Sequence, residues 1–498
     1  MEVTNENNKK VLKQLTDPKK VWELFLALCE IPRASGNMKG IREALLGHAK
    51  KLNFEAKTDE VGNVLIKIPA SKGKEKKPSV CLQGHMDMVA TKDENVEFDF
   101  ATDPITTKID GEWLTAEGTT LGADNGIGIA LGLALLEEDF KHGPLELLFT
   151  VDEETTMEGA FKVDQNGFIN SKYMINIDSE EDGTICFGSA GGFERNLRLP
   201  LNEIEKIPEG MKRVDLYLHE LLGGHTGVQI HENRANAIKW VSRLLLGVEN
   251  IDYLLASFTG GHAKNAIPSS AKASFLVPEE SVNDFKESIN ATHKHIMKEF
   301  EVVETKGVIL EVTDSEEDAE KVYDRKTTLK FFQFLLAIPH GVIRMSPDVE
   351  GLVESSQSVS IAKIVDEVLD VLIFARSSSL SQMQLLKEKI RAIARLSGAD
   401  YVEPEGSDFP PWQPQLRNNL LLDIMKKSYT QVYKKEPHCY AIHAGLECSI
   451  IQSFYQGMTP LSIGPTIINP HTTQESLQIS TVNTSYEALK KTLELIAK

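Results

Sequence analysis

The chain has 498 residues, more than one ordinary core needs, so two or more domains are expected. Hydrophobic residues make up 41% of it, enough to pack such cores and to exclude global disorder. Fifty-four Lys and Arg against 73 Asp and Glu leave a formal net charge of −19, which argues against a nucleic acid or an anionic membrane as partner, since both need a basic footprint.

Taken in chain order, "DPKKVWELFLALCEIPR" and "MKGIREALLGHAKKLNF" carry apolar residues at helical spacing. "EAKTDEVGNVLIKIPAS" predicts a hairpin with Gly62-Asn63 at its turn. A strand at 79–83, an apolar helix from about 126 to 138, and strands at 145–151 and 173–177 follow. Strands alternating with helices predict an α/β fold with a mixed, largely parallel sheet. Near residue 190 the texture changes to strand–helix–strand segments that suggest two similar halves. From about 405 a loop-rich stretch leads to a helix at 416–434, a helix or loop at 443–456, a strand at "TPLSIG" and a final helix at 482–496. The expected organisation is a catalytic domain in two parts, 1–198 and 401–498, interrupted by an inserted α+β lid domain at 199–400.

Five cysteines with no Cys-x-x-Cys spacing predict reduced thiols and a cytoplasmic setting. The polar start "MEVTNENNKKVLKQL" predicts no signal peptide, and the lack of a run of about 20 apolar residues predicts no membrane span.

Several strand-like segments end in acids or histidine. "SVCLQ" leads to His85 and Asp87; "LELLFTV" leads to Asp152, Glu153 and Glu154; "YMINI" leads to Asp178. Asp124 lies between glycines before an apolar helix, and a late segment offers His471. Singly, each has an ordinary explanation: an acid after a strand is commonly a turn residue or a helix cap. Together they point to a dinuclear metal site at the carboxyl ends of the strands. Zinc takes imidazole nitrogen and carboxylate oxygen, and two metals about 3.5 Å apart share a bridging ligand. A short aspartate on a glycine-flanked loop suits the bridge. The His-x-Asp spacing lets Asp87 hold the far nitrogen of His85. Of two adjacent glutamates on a turn, one can bind metal while the other reaches a water on it.

"GHMDMV", "GTTLGADNG", "TVDEETTMEGA", "NIDSEE" and "SIGPTIINPHTTQES" resemble, in order, the zinc-binding signature of the metallopeptidase family that includes carnosinases, aminoacylase and carboxypeptidase G. The resemblance covers nearly the whole chain and implies two zinc ions, with cobalt or manganese as substitutes. It implies that His85 and Asp178 bind one ion, that Glu154 and His471 bind the other, and that Asp124 bridges them, with a cis peptide at Asp124-Asn125. It also implies Glu153 as general base and Asp87 as the acid that orients His85. The implied reaction is hydrolysis of unblocked dipeptides, among them Xaa-His and β-alanyl-histidine. The implied assembly is a monomer or a homodimer.

The insertion adds candidates for the substrate. The resemblance suggests that a lid histidine, His225 in "LLGGHTGVQI", stabilises the tetrahedral intermediate; His262 is a rival for that role. Asn265 matches a lid asparagine that contacts substrate. Arg376, ending an apolar run, suits capture of a carboxylate. Glu447, read as a loop residue, is a candidate for the substrate ammonium. His293 and His295, two apart on a helix, read as solvated surface. An N-acyl amino acid amidohydrolase and a non-catalytic peptide-binding protein are the competing readings.

Overall fold

The computed structural model describes residues 1–202, 204, 207–317 and 319–498. They form two compact units. The first comprises Met1–Gly188, Pro414–Ala441 and Leu446–Lys498; the second comprises Ser189–Gln413 and Ile442–Gly445.

The first unit is built on an eight-stranded sheet. Its strands in chain order are β1 (Glu55–Thr58), β2 (Val64–Ile68), β3 (Val80–His85), β4 (Leu145–Thr150), β5 (Tyr173–Asn176), β6 (Thr184–Ser189), β7 (His438–Ile442) and β8 (Thr459–Ser462). They lie in the order β1-β2-β4-β3-β5-β8-β6-β7. The four central strands β4, β3, β5 and β8 are parallel. β1, β2 and β6 pair antiparallel on the flanks. The sequences "VCLQGH", "LELLFT" and "YMIN" are buried at every residue, as expected of parallel strands covered on both faces. Because these strands run the same way, their carboxyl ends meet at one edge. His85 pairs with Thr150, and Gln83 with Asn176.

Helix α1 (Ala123–Ala134) is apolar on all sides and almost wholly buried. Its glycines are needed for close packing: a Cβ on Gly128 would lie 2.3 Å from the Ile177 carbonyl oxygen. Asp124 and Asn125 have non-helical backbone angles, so regular helix starts at Gly126. The peptide between them is cis.

A separate four-stranded antiparallel sheet joins Thr107–Asp110, Trp113–Ala116, Ser476–Gln478 and Ile467–Ile468. The sequence reading did not anticipate it, because its strands have only two to four residues and carry no period of their own. It has a large effect on the site. Ser476–Gln478 pairs with Ile467–Ile468 on one side and with Trp113–Ala116 on the other. The loop at 469–475 and the loop leading to Asp124 are thereby pinned to a common strand.

The second unit is a nine-stranded sheet with helices Ala237–Leu246, Val282–Phe300, Arg325–Ala337 and Leu380–Ser397 packed on it. Two β-α-β-β-α-β sets share the topology. In one, Met211–His219, Leu254–Gly260, Ala271–Pro278 and Ile309–Asp314 take the spatial order fourth, first, third, second. In the other, Gly191–Pro200, Val353–Val365, Val368–Ser377 and Asp400–Val402 repeat that order. The sets meet where Thr259 pairs with Lys363 and Gly260 with Ala362. One core, including Trp240, Phe275, Phe285, Phe331 and Ile373, lies under both.

The helix at Val282–Phe300 corrects one expectation. His295 is exposed, but His293 is half-buried, its ring 5.4 Å from that of Trp240. The two side chains diverge as residues two apart on a helix must, and His293 serves the core edge rather than solvent. Among the described residues no disulfide forms, and no helix is long and apolar enough to cross a membrane.

Candidate metal centre

β3 ends at His85, whose Nε2 lies 3.0 Å from Asp124 Oδ1 and 3.3 Å from Asp178 Oδ1. The other oxygen of Asp124, Oδ2, lies 3.2 Å from His471 Nε2, which is in turn 2.9 Å from Glu154 Oε2. Asp124 therefore stands between two imidazoles and turns one oxygen to each. It is not a helix cap; its oxygens are spent on the histidines. One ligand atom each from His85, Asp124 and Glu154 falls within 4.8 Å of the others. His85, Asp124, Glu154, Asp178 and His471, from separate segments, are thus brought together.

The remaining acids hold this set. Asp87 Oδ1 lies 3.3 Å from His85 Nδ1, and the Asp87 carbonyl oxygen lies 3.1 Å from the same nitrogen. The Asp87 carboxylate also accepts the backbone N–H groups of Glu153 (3.0 Å) and Glu154 (3.2 Å) and the hydroxyl of Ser35 (2.8 Å). One buried carboxylate thereby orients both the histidine and the turn that carries the two glutamates. Asp152 begins that turn at φ 51°, and its Oδ1 accepts the Gly36 N–H at 2.6 Å. Asn125 donates to the Ile177 carbonyl at 2.5 Å, beside Asp178.

Asp87, Asp124, Glu153, Glu154 and Asp178 surround two imidazoles. Burial opposes charge on His85, but Asp178, Asp124 and Asp87 overcome it and hold the ring well above the ordinary histidine value. Hydrogen bonds to Asp124 and Glu154 raise His471 to about 11. Burial raises Asp178 to about 7, His85 pulling the other way. Burial also lifts Glu153 well above the carboxylate range; His85 opposes this, while Asp178, Glu447 and Glu154 add to it. Glu154 Oε1 is buried with no hydrogen-bond donor. Imidazole nitrogens and carboxylate oxygens around surplus negative charge are the donor set of Zn, Co or Mn, so the residues fit divalent cations.

Three neighbours went unnoticed in the sequence. Glu475, 2% exposed, accepts the N–H groups of Leu121, Gly122 and Asp124. Arg33, 1% exposed, donates to the carbonyls of Met86, Asp87 and Gly122. A Cβ on Gly122 or Gly126 would lie 2.6 or 2.5 Å from the Arg33 guanidinium, so these glycines make room for it. A buried Arg or Glu has no sequence period; the available signal was Glu475 lying four residues after His471. The third is Gln83, which with Thr150 donates to Glu447 Oε2, at 2.6 and 2.8 Å. Glu447 itself is not in a loop. It opens the helix Glu447–Phe454 and is buried, with Oε1 unpartnered and its carboxyl raised by burial to about 7.

The second unit holds the other candidates. His225 Nδ1 accepts the N–H groups of Gly227 (3.2 Å) and Val228 (3.1 Å). The other ring nitrogen, Nε2, lies 3.3 Å from Arg376 Nη2, so the imidazole and the guanidinium share one space. Burial, then the Arg376 charge, lowers His225 to about 4. Arg376 is buried with Nε unpartnered. Asn265 is exposed; its carbonyl accepts the Thr226 N–H at 2.8 Å, next to His225. His262 is exposed, with Nε2 3.3 Å from the Ser270 hydroxyl.

Residues 81–495 match peptidase family M20/M25/M40. The chain is 38% identical over 487 residues to the cytosol non-specific dipeptidase of Escherichia coli (strain K12), covering 97% of this chain and 99% of that one. The chain belongs to this peptidase family. Its fold superposes on the aminoacylhistidine dipeptidase of Vibrio alginolyticus with a TM-score of 0.87 and 36% identity, over 97% of each chain. The aminopeptidase PepT of Bacillus cereus, at 15% identity and a TM-score of 0.56 over 96% of this chain and 99% of that one, shares the fold.

Proposed function

We propose that the chain is a dinuclear metal dipeptidase that hydrolyses unblocked dipeptides, Xaa-His among them. The observation that carries this reading is Asp124, with oxygens 3.0 and 3.2 Å from His85 and His471. In this reading His85 and Asp178 hold one cation, Glu154 and His471 hold the second, and Asp124 bridges. The near-full-length likeness to two dipeptidases supports the substrate class.

Bound there, a pair of zinc ions would polarise the scissile carbonyl and acidify an attacking water. Glu153, next to Glu154 on the turn after β4, would take the proton from that water and deliver it to the leaving amine. Asp87 keeps His85 and the Glu153–Glu154 turn in register. His225, its ring held through Nδ1 by the Gly227 and Val228 N–H groups, would donate to the carbonyl oxygen as it becomes anionic. Arg376 takes the substrate carboxylate, Asn265 a backbone group, and Glu447, through its unpartnered Oε1, the substrate ammonium. The insertion, read from the sequence as 199–400, would serve as the lid, and the setting is cytoplasmic.

The test is turnover of dipeptides and of N-acyl amino acids on one sample with its metal content measured. Two metal equivalents with activity confined to free-amine dipeptides support the reading; activity on N-acyl amino acids alone overturns it in favour of an amidohydrolase.

A further inference from the structure

We propose that Glu475 is a positioning residue for the bridging aspartate: by accepting the N–H groups of Leu121, Gly122 and Asp124, it fixes the backbone so that Asp124 presents one oxygen to each cation. This rests on the two-cation reading above.

The geometry is specific to the bridge. The three bonds measure 2.8, 2.9 and 3.1 Å, and the last comes from the N–H of Asp124 itself. An aspartate side chain has only two torsions, so the direction of its carboxylate is set chiefly by the backbone it hangs from. A group that anchors the Asp124 amide therefore aims the Asp124 oxygens.

The same loop touches Asp124 twice. His471 meets Oδ2 at 3.2 Å, and Glu475, four residues on, holds the amide at 3.1 Å. The loop between them is closed at its base by Ile467 pairing with Leu477 and Ile468 with Ser476. Ser476 pairs in turn with Thr115, on the strand that leads into the Asp124 loop. Arg33 grips the same segment by its carbonyl side, at Gly122. The ligand His471 and the anchor Glu475 thus move as one piece relative to the bridge. Loss of the anchor leaves Asp124 able to favour one cation over the other.

The experiment compares the full chain with Glu475→Gln and Glu475→Asp, using Mn(II) alone as probe. Gln has one acceptor oxygen and would turn an NH2 group toward the backbone donors; Asp keeps the charge but is one methylene short. The parent is expected to bind two Mn(II), with the exchange-coupled paramagnetic resonance signal of a carboxylate-bridged pair. Glu475→Gln is expected to keep the parent's circular dichroism and metal-free melting temperature. The weaker of its two equivalents should lose about 10–100-fold in affinity, the range typical of groups that orient metal ligands. The coupled signal should fade, and Glu475→Asp should recover part of both. A folded Glu475→Gln with both affinities and the coupled signal unchanged overturns the inference, as does failure of both variants to fold, which makes Glu475 a general anchor. A parent that binds fewer than two Mn(II) refutes the dinuclear reading itself, whatever the variants do.

Discussion

Asp87 Oδ1 lies 3.3 Å from His85 Nδ1, and the same carboxylate accepts the backbone amides of Glu153 and Glu154. One side chain therefore governs the imidazole at the end of β3 and the acid pair after β4. Asp87→Ala should weaken metal binding by about 10–100-fold and lower turnover further than metal loss alone explains, because the glutamate turn loses its anchor too. Titration with metal, followed by kcat measured at saturating metal, separates the two effects; full recovery of kcat would show that Asp87 acts on His85 alone.

Glu153 bonds to no imidazole of the cluster, whereas Glu154 Oε2 lies 2.9 Å from His471 Nε2. Glu153→Ala should keep two metal equivalents and lose about 10²–10⁴-fold in kcat, the usual worth of a positioned general base. Metal analysis and kinetics on the same preparation decide it; loss of a metal equivalent would exchange the roles of the two glutamates.

Gly227 lies among the lid candidates. A Cβ there would fall 2.5 Å from the His443 carbonyl oxygen, 3.0 Å from His225 Cε1 and 3.2 Å from Arg376 Nε. Gly227→Ala should raise KM and lower kcat with metal content unchanged, and cost about 1–3 kcal/mol of stability by overpacking. Steady-state kinetics identical to the parent's would detach this cluster from the substrate.

His443 is buried, with Nε2 2.7 Å from the Ser356 hydroxyl, and burial lowers it to about 3. The folded state thus favours the neutral ring, while the unfolded chain takes up a proton near pH 6.5. Its contribution is present above pH 6.5 and is lost as pH falls toward 3, with a slope of about 1.4 kcal/mol per pH unit. Urea midpoints from pH 7.5 to 4.5 should fall less steeply in His443→Gln; equal slopes would assign the acid sensitivity elsewhere.

Cation removal should loosen the site, since buried acids then face one another with only two imidazoles among them. Restoring metal to 100 times its dissociation constant should stabilise the fold by about 2.7 kcal/mol. Calorimetry of stripped and reconstituted protein checks this, and an unchanged melting temperature would count against a metal centre at these residues.

The parallel core and the site were largely legible in the residues. β3, β4 and β5 are short apolar runs that end in acids or histidine, and that texture survives without coordinates. The reading failed where structure depends on partners distant in sequence. Ile467–Ile468 and Ser476–Gln478 are strands only because Trp113–Ala116 lies beside them. Arg33 and Glu475 look like surface residues until the carbonyls and amides around them are seen. Glu447 looked like loop because the glycine before it marks a turn, yet the helix opens two residues later.

The two β-α-β-β-α-β sets of the second unit are joined along a seam of Thr259–Lys363 and Gly260–Ala362. There a Cβ on Gly261 would lie 1.9 Å from the Ser360 carbonyl oxygen, so the join tolerates no side chain at that point. Held within one polypeptide, the halves meet at a local concentration that dilution cannot lower. A nine-stranded surface that two separate molecules would have to find by collision is here assembled once, during folding, and remains whole at any protein concentration.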